Sequence, residues 1–297
     1  MDTGLVGSEY AGHLTDADIR LLAGAAGRGS LADGAGEDAG PGWLRRDPSL
    51  LPALLSDPGV ARAVLGGDGD QIDTAPASPF LVFAVAVHQA ATELAVAGYL
   101  PERTGPRQRV PLFDVPALRD FLGSPARRLF LAELLASFTR VSSGRYRVQV
   151  RGQTRTRRYS ELDPVRLAGL LDAVPESERP GVYRRLGDVS LFLTGVFPDY
   201  AAGRALGLVN AARLVRAAQV PASEADRLAT APSLELLEHL GARWYRAAWD
   251  LAPVRTARLT VVADVASRFR QARRVLNHIA DRYLFAPGSP GFLQPDQ

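Results

Sequence analysis

Two residue types are missing from this chain. It has no cysteine, and all of its 35 lysine-or-arginine residues are arginine. Without cysteine there is no disulfide, no thiolate nucleophile and no Cys-ligated zinc or iron–sulfur centre. Without lysine there is no phosphate-loop Lys, no Schiff-base Lys and no Lys general base. Short catalytic signatures are missing too: no G-x-S-x-G, H-E-x-x-H, G-x-G-x-x-G or Walker A string occurs. Long hydrophobic runs are also lacking. The longest, "PFLVFAVAV" at 79–87, is too short to span a bilayer and ends in His88 and Gln89. The opening "MDTGLVGSEYAGHL" has no basic stretch followed by an apolar run, so no signal peptide is expected. The expected location is the cytoplasm, with no membrane partner.

What is present fits a globular protein. The 297 residues, 46% of them hydrophobic, suffice for one large domain or two small ones with a sizeable core. Exclusive use of arginine suggests a GC-rich bacterial genome, and it lowers the information carried by any one arginine cluster. The net charge of +3 hides an asymmetry. Residues 1–80 carry 12 acids and 5 Arg, net −7, whereas 81–297 carry 20 acids and 30 Arg, net +10. An acidic piece precedes a basic body. Both surfaces are then solvated, or the acidic piece neutralises the basic one.

Punctuation predicts a mainly α-helical chain with one small antiparallel β-hairpin. Residues 1–78 read as an acidic, loop-rich segment with short helices. Thr15 or Asp16 caps a helix within 14–27, and Asp47 and Asp57, each followed by Pro, open one or two more within 47–66. The stretches 27–42 and 66–79 read as loops. Residues 79–297 read as a helical body, with helices at 79–98, 115–122, 124–141, 163–174, 176–197, 200–218, 223–230, 233–250 and 255–284 and a flexible tail from 286. The run 189–197 is apolar nearly all round and belongs in a core. In the last helix Val262, Val265, Phe269, Ala272, Leu276, Ile279 and Tyr283 form a heptad seam. Arg270, Arg274 and His278 form a separate basic face. A bundle helix with a solvated back is favoured over a seam for a partner.

"RYRVQVRGQTRTRRYSEL", 145–162, is the hairpin, with strands spanning 144–160. Tyr146, Val148 and Val150 point one way. A Gly152-Gln153 turn would pair Val150 with Arg155 and Tyr146 with Tyr159. The opposite face then presents Arg145, Arg147, Arg151 and Arg158, the candidate contact for a polyanion or an acidic partner. Arginines beside tyrosines can grip phosphates and stack on bases. The tyrosines, however, fall on the other face, where clamping the hairpin to the helices is the expected job.

Other candidates have plainer explanations. His88 lies on an apolar helix with no second ligand at metal spacing, so a hydrogen-bonded core His is favoured. Glu235 and His239 are four apart, and no second copy supplies a di-iron site. Tyr245 and Trp249 share a helix face and read as core. Asp188 follows Arg184 and Arg185 and is expected to pair with them. Asp68, Asp70 and Asp73 lack the EF-hand pattern. Residues 211–229 have the rhythm of a helix-turn-helix, but Pro221 and the lack of Gly at the turn count against it. No catalytic, cofactor-binding or metal-ligating residue is expected.

"RRLGDVSLFLTGVFPDYAAGR" (184–204) followed by "LEHLGARWYRAAW" (237–249) resembles a group of helical bacterial proteins of unknown function. The shared elements are a Gly-Asp before an apolar "SLFL", an "FPD" exit, then a Gly followed by aromatics. The resemblance implies a helical fold and no activity. The expected function is therefore a non-catalytic regulatory or protein–protein interaction protein without a cofactor. One alternative is a nucleic-acid-binding protein using the hairpin. Another is an enzyme or small-molecule binder with a pocket near His88, Asp188 and the helix bearing Tyr245 and Trp249.

Overall fold

The computed structural model describes residues 3–26, 43–66, 77–105, 108–150, 153–203 and 206–285. The expected loop 27–42, most of the loop 66–79 with Asp68, Asp70 and Asp73, the hairpin residues Arg151 and Gly152, and the tail from 286 lie outside the described residues. The fold is mainly α, with two small antiparallel two-stranded ribbons. It divides into two compact units. One takes Met1–Leu100, Phe113–Thr139 and His278–Gln297; the other takes Pro101–Leu112 and Arg140–Asn277.

The helices of the first unit are α1 (Thr3–His13), α2 (Asp16–Ala26), α3 (Trp43–Arg46), α4 (Leu51–Leu55), α5 (Pro58–Leu65), α6 (Pro79–Val96), α7 (Val115–Gly123) and α8 (Pro125–Ser137). Three of them, α5, α6 and α8, start alike, with a Ser or Asp cap followed by Pro. The Asp57 side chain accepts from Gly59 and Val60 N–H, Ser78 from Leu81 N–H and Ser124 from Arg127 N–H. Each satisfies amide groups that have no partner within the helix, while Pro sits where no N–H is needed. Thr15 is the cap of α2. Its Oγ accepts from Asp18 N–H (3.1 Å), and the Asp18 carboxylate accepts in return from Thr15 N–H (2.9 Å). Asp18, fully buried, also accepts from Ser78 N–H at 2.8 Å, tying α2 to the start of α6.

Helix α1 was not expected. Gly4, Gly7 and Gly12 lower its intrinsic helicity, but burial of Val6 and Tyr10 offsets this, and Gly7 lets the helix run against the Pro48 carbonyl. Residues of 1–65 and of the 79–297 stretch share one core. Val6, Tyr10, Leu22, Leu51 and Leu55 pack with Leu81, Val85, Leu129 and Ala132. By length and composition alone α6 could cross a membrane, and so would any core helix this apolar. Phe80–His88 are all buried.

The second unit contains the ribbon β1 (Leu100–Gly105) and β2 (Gln108–Leu112), apart from Leu100, and the ribbon β3 (Ser143–Val150) and β4 (Gln153–Ser160). It also holds α9 (Pro164–Ala168), α10 (Arg179–Val196), α11 (Pro198–Gly203), α12 (Leu208–Ala217), α13 (Ala222–Ala229), α14 (Ser233–Asp250), α15 (Ala257–Ser267) and most of α16 (Phe269–Ile279). Gly187 of α10 lies against the Tyr245 ring, and Gly241 of α14 against the Phe269 ring; a methyl group at either place would overlap the ring. These two close approaches let α10, α14 and α16 pack together. Residues 189–196 are buried as expected, whereas Phe197 is half-exposed and meets Phe192 edge-on at 5.5 Å.

The expected single helix 255–284 is broken at Arg268 (φ −121°, ψ 28°), and its end, Ala280–Leu284, is a π-helical turn. The seam residues from Val262 to Ile279 are buried within the chain. The basic face is solvated at Arg270 but largely covered at Arg274 and His278, and each of the three has a carboxylate partner. Arg270 pairs with Glu238 (2.6 Å), Arg274 with Glu102 (3.1 Å) and His278 with Glu93 (3.1 Å). Arg273, buried, bridges Glu238 (2.8 Å) and Glu102. The β1–β2 ribbon was also not expected, because Pro101, Pro106 and Pro111 interrupt any strand pattern there.

Candidate functional site

The arginine hairpin is present. Ser143 pairs with Ser160, Arg145 with Arg158, Tyr146 with Arg157 and Val150 with Gln153. The register differs by two residues from the expected one, placing the connection at 151–152. A two-residue shift leaves Arg145, Arg147 and Arg158 on one face and Tyr146, Arg155, Arg157 and Tyr159 on the other, as expected, where a one-residue slip would have exchanged the faces. Tyr159 is opposite Gly144 rather than Tyr146, and its ring fills the space over that glycine. The Tyr146 hydroxyl lies against Gly169, just after α9, so this tyrosine clamps the ribbon to the helices.

Of the four candidate contact residues, Arg145, Arg147 and Arg158 share one face and are exposed; Arg151 lies outside the described residues. Arg155 and Arg157, on the other face, are exposed as well. Among the described residues none of these five is paired with a carboxylate. The ribbon is thus basic on both faces.

Arg157 also borders a cleft of about 400 Å³. Arg179 of α10, Arg213 and Arg216 of α12, Tyr183, Gln219 and Gly169 line it as well, with Asp172 the one acid. Among the described residues none of its four arginines pairs with a carboxylate, and the buried Nε of Arg179 has no hydrogen-bond partner there. Sequence spacing could not find this group, because β4, α10 and α12 bring the residues together only on folding. The second helix of the 211–229 segment is real. Gln219 takes the left-handed conformation (φ 52°) that a glycine was expected to supply, and Arg243 donates to its carbonyl at 2.8 Å. Helix α13 carries Glu224, Asp226 and Arg227, a poor charge set for a phosphate groove.

A neighbouring cleft of about 350 Å³ is lined by Asp163, Tyr200, Asn210, Arg213, Ser233 and apolar residues including Leu193. Two of its polar groups are already engaged. Asp163 caps α9 and pairs with Arg166, and Ser233 Oγ accepts from Leu206 N–H.

The enzyme-like candidates are hydrogen-bonded core groups. Ser56 donates to the Pro52 carbonyl (2.9 Å), so its oxygen accepts from His88 Nδ1–H (3.1 Å). The neutral ring then accepts at Nε2 from Tyr10 O–H (3.1 Å). Burial, reinforced by the Arg128 charge, holds His88 down to about 3. In the other unit Tyr245 O–H donates to Asp188 at 2.8 Å, while Arg185 approaches that carboxylate at 3.9 Å. Burial and the adjacent carboxylate push the Tyr245 phenol well up. Asp188 therefore gains the expected ion pair at long range and a closer phenol that spacing alone did not reveal. Trp249 lies under Arg255 at 4.8 Å. Neither cleft is lined by His88, Asp188 or Tyr245. Burial and the Arg243 charge lower the His239 pKa, and among the described residues no third ligand joins Glu235 and His239. No family model, curated protein or solved structure matches this chain.

Proposed function

We propose that this is a non-catalytic, cytoplasmic interaction protein that docks an acidic protein surface on its arginine ribbon. One observation carries the proposal: Arg145, Arg147, Arg155, Arg157 and Arg158 are held out on an anchored ribbon with no acid spent on them among the described residues. A folded ribbon presents its charges with less ordering cost than a mobile loop would. Electrostatic complementarity then speeds encounter and selects acidic partners. Nucleic acid is the weaker occupant because the aromatics that could stack on bases are engaged, Tyr146 against Gly169 and Tyr159 over Gly144.

The test compares a glutamate-rich peptide with duplex and single-stranded DNA near physiological salt. The peptide should bind, both DNAs should bind feebly, and replacing Arg145, Arg147 and Arg158 together with Ala should abolish the peptide complex. Tight DNA binding would overturn the proposal if those substitutions flatten its salt dependence by about one unit for each phosphate no longer neutralised.

A further inference from the structure

A separate constellation lies in the first unit. Glu9 and His13 are one turn apart on α1, so they leave the same helix face. Glu133 comes from α8, which packs against α1. The His13 imidazole nitrogen and one carboxylate oxygen from each glutamate lie within 4.8 Å of one another. His13 Nε2 and Glu133 Oε1 are already at 2.8 Å. The His13 ring stacks on Phe80, with centroids 4.5 Å apart and planes at 29°. That contact fixes the ring plane and keeps Nε2 directed at the carboxylate. The side chain of His13 is 36% exposed and that of Glu133 18%, so an ion could reach the cluster and keep water on its open positions.

We propose that Glu9, His13 and Glu133 bind one divalent transition ion, with Zn²⁺ as the type. The donor set selects the class. One imidazole nitrogen with two carboxylates suits zinc and its neighbours, whereas calcium and magnesium take oxygen alone. Two carboxylates also balance the charge of a divalent ion. Donors around zinc stand about 2.0–2.2 Å from the metal, hence roughly 3.0–3.5 Å from one another. Gathering these three takes about 1–2 Å of movement at a glutamate terminus. The ion would staple α1 to α8 and so secure a helix whose glycines give it little stability alone.

The experiment uses the full-length, untagged protein after chelator treatment, titrated with Zn²⁺ by calorimetry and with Co²⁺ by its visible absorption. One ion per chain and a rise in Tm with added Zn²⁺ are expected. His13→Ala and Glu133→Gln should each abolish both signals while retaining wild-type circular dichroism. Glu9→Gln, which leaves the His13–Phe80 stack in place, should abolish them too. His239→Ala should bind as wild type does. No binding by the wild type, binding that survives His13→Ala, or absence of binding in His239→Ala would overturn the assignment. The ribbon arginines do not enter this measurement, so its outcome is independent of the docking proposal.

Discussion

Gly187, Asp188 and Tyr245 show how one small residue decides a contact. With hydrogen at Gly187 the Tyr245 ring passes and its hydroxyl reaches Asp188. Gly187→Ala gains about 1 kcal/mol of helix propensity but forces a methyl group into the ring, and overpacking costs about 1–3 kcal/mol. The variant should be less stable in urea than wild type. Tyr245→Phe keeps the ring and removes the donor to a buried carboxylate, at a cost of about 1–3 kcal/mol. Equal or greater stability of Tyr245→Phe would show that the hydrogen bond contributes nothing.

Two residues set windows of acid sensitivity that overlap only below pH 4.5. His88 folds neutral, with its pKa lowered from 6.5 to about 3. The unfolded chain therefore takes up this proton first, and stability is lost as pH falls from 6.5 towards 3. The Glu93 carboxyl is lowered from 4.5 to about 2, chiefly by its hydrogen bond with His278. Its contribution is present above 4.5 and lost as pH falls from there towards 2, and partial exposure reduces its size. Urea midpoints against pH should show a shallower fall between 6.5 and 4.5 in His88→Asn, and a shallower fall only below 4.5 in Glu93→Gln. A wild-type-like slope in both would remove these groups from the acid response.

At the scale of elements, caps were the legible part. The cap-Pro pairs at 57–58, 78–79, 124–125 and 163–164 each open a helix where expected. Asp18 does more than spacing can reveal, because it joins the α2 cap to the Ser78 amide 60 residues away. Asp18→Ala should cost about 1–3 kcal/mol by stranding the Thr15 and Ser78 amides, read as a lower urea midpoint than wild type. Leu193→Ala in α10 should cost about 2–5 kcal/mol, and near-wild-type stability would mean that its cleft-lining position relaxes fully. The break at Arg268 was not legible, since the hydrophobic period runs through it without a gap. Nor was the β1–β2 ribbon, whose prolines suppress the local strand signal.

For the whole molecule, the consequential finding is where the acidic segment goes. Val6, Tyr10, Leu51 and Leu55 are core to the same unit as α6 and α8. A chain beginning at Ser78 would expose Leu81, Val85 and Leu129, so it should bind a hydrophobic dye and aggregate. A monomeric, cooperatively folding truncation would contradict this shared core.

The sequence by itself determined the helical class, most helix starts and the two faces of the arginine ribbon. Each rests on period or on a cap, and these act between residues a few positions apart. Only the tertiary structure decided the rest. It placed Arg157, Arg179, Arg213 and Arg216 around one cleft and Glu9 and His13 beside Glu133, and it supplied Arg270, Arg274 and His278 with carboxylates. The physical reason is that a charged side chain has no local period to reveal its partner. Its partner is whichever group the packing of distant apolar faces brings within reach, and that packing exists only in the folded chain.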